Sequence, residues 1–116
     1  MRVLTLITLI AASTAAQAIE QMTPAKASQI ADAIYRVEGG AKARVPYGIL
    51  SVKVKDEAEA RRVCINTVVN NHRRWVKAGR HGSYYDWLAD RYCPSSVDPI
   101  GNRNWKNNIK RIVTVE

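Results

Sequence analysis

Three helix-start signals, each heading apolar residues at three- and four-residue spacing, limit the fold of this chain more than any other feature of its sequence. Thr23-Pro24 pairs a hydroxyl N-cap with a proline at the first helical position, where its missing N–H costs nothing. Ala27, Ile30, Ile34 and Val37 follow, then Gly39 as a stop, which predicts a helix over 24–38. Asp32 and Arg36 stand one turn apart on its wet side. Asp56 with Glu59 opens a second helix whose buried stripe reads Ala60, Val63, Cys64, Val68 and Trp75, ending at Gly79. Ser83 with Asp86 opens a third, carrying Tyr84, Trp87 and Leu88 toward Tyr92. A loop from Pro94 to Gly101 separates it from a fourth, marked by Trp105, Ile109 and Ile112.

Between the first two helices the signal changes. Residues 41–54 hold Gly48, Pro46 and the run Ile49-Leu50-Ser51-Val52-Lys53-Val54, whose alternation predicts a short extended segment, one edge of a small hairpin. The expected fold is therefore mainly α, an α+β arrangement of about four helices and one short extended piece in a single domain.

The N-terminus reads as a leader. Arg2 is followed by an uncharged apolar run, Val3 to Ala12, and then Ala16-Gln17-Ala18, the small-x-small pattern of a secretory cleavage site. The run is shorter than the ~20 residues of a membrane span. Residues 1–18 are expected to be removed, leaving Ile19–Glu116 as one exported domain, periplasmic or secreted and without a membrane span; the competing reading is an uncleaved N-terminal anchor. In an oxidising compartment Cys64 and Cys93 are expected to form a disulfide. Closing a loop of about 30 residues, it would contribute ~3–4 kcal/mol on the chain-entropy model. A metal or redox pair fits less well, because the spacing is not CxxC and only His72 and His81 remain as further soft ligands.

Eighteen Lys and Arg oppose 10 Asp and Glu, a net charge of +8 that becomes +7 once Arg2 leaves with the leader. So basic a small protein meets polyanions, and after export those are anionic wall polymers rather than chromosomal DNA. The cluster Arg73, Arg74, Lys77 and Arg80 reads as a solvated face that adds such attraction. No basic stripe interleaved with aromatics appears, so nucleic acid is not an expected partner.

Most acids have ordinary explanations. Asp56, Glu59 and Asp86 sit at helix starts, Glu57 shares a first turn, Asp98-Pro99 is a turn former, and Asp90 neighbours Arg91. Glu38 is different. It falls in the last turn of the first helix, at the end where the macrodipole disfavours negative charge, on the border of the apolar stripe and with Ile34 and Tyr35 as its preceding-turn neighbours. Partial burial there raises a carboxyl pKa, and an acid still protonated near neutral pH can serve a leaving oxygen. The competing reading is a surface carboxylate paired with Lys42 or Arg44.

A helix ending in Glu38, followed by Tyr47-Gly48-Ile49-Leu50-Ser51, resembles the lysozyme-like superfamily, in particular small lytic transglycosylases and goose-type lysozymes. Arg91-Tyr92-Cys93-Pro94 and Asn104-Trp105-Lys106-Asn107-Asn108-Ile109 are similar to that family's Ala-Tyr-Asn motif and closing helix. The chain has Gly39 where the family has Ser, Ser51 where it has Gln, and Cys93 where it has Asn. The resemblance implies cleavage of the β-1,4 glycan of peptidoglycan, with Glu38 as general acid and base and no metal or cofactor. It implies glycan contacts from Tyr47, Gly48, Ser51 and Tyr92; core packing is the competing reading for both tyrosines, and a turn or strand-surface role for Ser51. The three tryptophans fall at helical spacing and read as core. A monomer is expected. A non-catalytic binder of wall glycan or anionic polymer is the alternative function.

Overall fold

The computed structural model of the chain describes residues 21–48 and 53–115. The leader, Ser51 and most of the expected extended segment lie outside the described residues, whereas Lys53 and Val54 are irregular. Four helices follow in order: α1, Pro24–Val37; α2, Glu57–Lys77; α3, Tyr84–Tyr92; α4, Pro99–Val115. Single 3-10 turns at Gly40–Lys42 and Pro46–Gly48 lie between α1 and α2, and the described residues contain no strand.

The helix starts follow the side-chain chemistry closely. Thr23 Oγ1 accepts from the Lys26 amide at 3.1 Å and Asp56 Oδ1 from the Glu59 amide at 2.8 Å. Ser83 and Asp86 close a reciprocal capping box, each side chain accepting from the other's backbone N–H at 3.2 Å. α4 begins earlier than the sequence predicts. Asp98, expected in a turn, sits before Pro99 at the first helical position, and its Oδ1 accepts from the Gly101 amide at 2.9 Å. The physics is that of Thr23-Pro24: a side-chain acceptor satisfies an orphan N–H, and proline supplies the first φ.

α1 packs on α2 and α4, and α3 packs on the same two helices, so the core forms between them. Ile30, Ile34, Val68, Leu88 and Ile109 are among its fully buried side chains. Tyr84 is also sealed in, its hydroxyl donating to the Val68 carbonyl at 2.8 Å. Trp75 and Trp105 are core as expected, while Trp87 is half-buried. Indole N–H groups anchor the α2–α3 turn, Trp75 donating to the Gly82 carbonyl at 3.2 Å and Trp87 to that of His81 at 2.9 Å. Asp32 pairs with Arg61 of α2.

The expected disulfide is not made: Cys64 and Cys93 are both free thiols. Cys64 points into the core from mid-α2, with its Sγ 3.5 Å from the Tyr92 hydroxyl. Cys93 comes just after α3 and faces the start of α4, so close that a Cβ at Gly101 would lie 3.1 Å from its sulfur. The two side chains serve different packing contacts. Compartment and cysteine count, the grounds for pairing them, carry no geometry.

Candidate functional site

Glu38 is the C-cap of α1, its amide donating to the Ile34 carbonyl at 2.9 Å. Gly39 follows with φ +112°, a left-handed turn that glycine makes without a Cβ penalty. The chain then folds back through the two 3-10 turns, where Tyr47 and Gly48 both adopt left-handed backbone, at φ 59° and 65°. That conformation costs a bulky residue such as tyrosine roughly 1–2 kcal/mol. Surrounding contacts hold it: the Tyr47 ring is buried, its centroid is 5.0 Å from that of Tyr35, and its hydroxyl accepts from Arg61 Nη1 at 3.3 Å. Arg61 is itself fixed by Asp32 and by the Ser28 hydroxyl at 2.7 Å.

This bend sets Gly48 against the Glu38 carboxyl. A Cβ at position 48 would fall on Glu38 Oε1 and crowd the rest of the carboxyl group. Glycine is required there twice over, for its backbone angle and for the space it leaves. The half-buried Glu38 makes no ion pair among the described residues, so neither Lys42 nor Arg44 neutralises it.

Burial pushes the Glu38 pKa above the ordinary carboxyl value. The indole N–H of Trp105 opposes that shift in part. Trp105 Nε1 is buried and meets no acceptor at full hydrogen-bond geometry among the described residues, so its pull on the carboxylate is partial. Burial wins.

Tyr92 stacks on Trp105 with centroids 5.1 Å apart and planes 13° off parallel, and its hydroxyl meets Cys64. Burial raises the Cys64 thiol to about 11 and lifts Tyr92 and Cys93 as well, with the Glu38 charge adding to all three. Helices α1, α2, α3 and α4 thus bring Glu38, Cys64, Tyr92 and Trp105 into one electrostatic neighbourhood, with Gly48 closing one side.

Of the residues assigned to glycan contact, Gly48 borders Glu38, Tyr92 stacks on the Trp105 ring, Tyr47 is buried at the bend, and Ser51 lies outside the described residues. Tyr47 and Tyr92 both take part in packing. Trp105 is the residue whose role the sequence concealed: its spacing marks core, and nothing local announces an N–H near position 38. No group of three His, Cys, Asp or Glu side chains among the described residues is placed to hold a metal ion. Comparison with protein-family models, curated proteins and solved structures finds no match to this chain.

Proposed function

We propose that the chain is an exported peptidoglycan-cleaving enzyme of the lysozyme-like kind, acting on the β-1,4 bond between N-acetylmuramic acid and N-acetylglucosamine. The observation that carries this reading is Glu38 itself, a half-buried carboxyl at a helix end with a raised pKa and no ion pair among the described residues, packed against a glycine. Its proton goes to the glycosidic oxygen as the C1–O bond breaks, and positive charge develops on the ring carbon and ring oxygen. The ionised Glu38 then takes the proton back from the oxygen that attacks C1. That oxygen is the sugar's own 6-hydroxyl, closing an anhydro ring, or a water, giving a reducing end.

A single-acid route suits the remaining carboxylates. Asp32 is held by Arg61 and Asp86 by Lys106 at 2.9 Å, while Asp90 accepts from the Ser95 amide and the Asn102 side chain. Asp56 and Asp98 cap helices.

Glu38→Gln removes the transferable proton at nearly constant shape. On purified sacculi this variant is expected to lose ~100-fold or more in turnover, the usual scale of general acid catalysis. Equal turnover by the two proteins would take Glu38 out of the mechanism.

A second reading, a wall-glycan binder without turnover, is favoured by the packing of Tyr47 and Tyr92, which occupies side chains that a glycan would otherwise contact. Sacculus binding with no release of muropeptides by the wild type would support it.

A further inference from the structure

Away from Glu38, at the seam of α2 and α3, a cavity of about 170 Å³ is lined by Thr67, Asn70, Asn71, Arg74 and Arg91. Its wall is almost wholly polar and contains no carboxylate. Arg74 and Arg91 come from different helices, and neither has an ion pair among the described residues. Asn70 accepts from Arg73 Nη1 at 3.0 Å through its oxygen, so its amide nitrogen is the end left over. The Thr67 hydroxyl gives its proton to the Val63 carbonyl at 2.9 Å. Asn71 is 6% exposed, and its Nδ2 is buried with no hydrogen-bond partner among the described residues.

A buried amide N–H without an acceptor is costly, and the cavity gathers two exposed guanidinium groups of like charge with no carboxylate in its lining. One occupant relieves both, a compact anion with acceptor oxygens on several sides. A carboxylate presents two oxygens in one plane. A phosphate group presents three or four around a centre, suiting guanidinium donors that arrive from two helices.

We propose that this cavity is a phosphate-binding site, taking free phosphate or one phosphate of a phosphodiester polymer, with the Arg74 and Arg91 guanidinium groups as its charged donors and Asn71 in its wall. It is independent of Glu38 and of any glycan cleavage. Arg73 and Lys77, exposed on the same helix, extend the positive field along which a phosphodiester chain would lie.

The test is an NMR titration of the full-length protein with inorganic phosphate, then with diethyl phosphate, sodium chloride being adjusted to hold ionic strength constant. The expected result is saturable movement of the Asn71 side-chain amide signals. In an Arg74→Ala/Arg91→Ala double variant the dissociation constant should rise ~10-fold or more. Both arginines are exposed, and circular dichroism checks that the variant stays folded. Arg103→Ala, an exposed cation on α4, should leave the constant unchanged. Saturation by both ligands identifies a phosphodiester as an admissible occupant; saturation by inorganic phosphate alone restricts the site to free phosphate or a terminal monoester. Non-saturating shifts, an equal response to acetate, or an equal loss in Arg103→Ala would overturn the proposal.

Discussion

At the scale of single residues, a proton on Glu38 decides how the molecule behaves with pH. Its folded pKa is raised, so the acid form is favoured in the native state. Activity that depends on the acid form should hold below that pKa and fall as pH rises through it. Stability follows the same sign. The group is neutral in both folded and unfolded chains at low pH, and stability is lost as pH climbs from the unfolded value of about 4.5 through the folded one. Glu38→Gln should therefore melt higher than the wild type at neutral pH and lose that advantage near pH 4, which parallel thermal scans would check. Trp105→Phe keeps the ring but deletes the N–H that opposes the effect of burial, so the descending limb of the pH–rate profile should move to higher pH. Gly48→Ala should displace the Glu38 carboxyl and reduce turnover severely, since its Cβ has no room. Glu38 was readable in the sequence because a helix stop, an apolar stripe and an acid coincide within a few residues. Trp105 was not, because its approach is made by α4 packing on α1 and leaves no mark near position 38.

At the scale of elements, caps and stripes account for where helices start and which faces they bury. Thr23, Asp56 and Ser83 perform as their side chains predict, and replacing Thr23 or Ser83 with Ala should cost ~1 kcal/mol in denaturant unfolding. Leu88→Ala, at a fully buried position of α3, should cost about 2–5 kcal/mol. The start of α4 escaped sequence reading for a physical reason. An Asp-Pro pair satisfies the same local hydrogen bond in a turn as at a helix N-terminus, and the first turn of α4 offers no apolar stripe to separate the two, since Ile100 points outward, 64% exposed. The buried polar pair Asn71 and His72 escaped for a related reason: polar residues inside a helical stripe look like its wet edge until the aromatic rings of Trp75 and Tyr84 are seen to cover His72.

At the scale of the whole molecule, charge and redox state make separate predictions. A strongly positive net charge, +8 over the full chain and +7 without Arg2, should draw the protein to anionic sacculi with an affinity that weakens as salt rises. Both cysteines are thiols, so alkylation in denaturant without reductant should add two labels per chain by intact mass; in the native state Cys64 should react slowly, being buried and pushed up to about 11. A mass unchanged by the alkylating agent would restore the disulfide that cysteine count and export pointed to. The helical class and single core were legible because periodic stripes encode burial directly, whereas the thiol geometry depends on how α3 and α4 meet and has no local signature.

The central claim is that Glu38 holds a transferable proton at a pH where ordinary glutamates have lost theirs. An NMR pH titration of the Glu38 side-chain carboxyl carbon measures this directly. The account predicts a midpoint clearly above the 4.5 of a free glutamate; a midpoint at or below that value would contradict it.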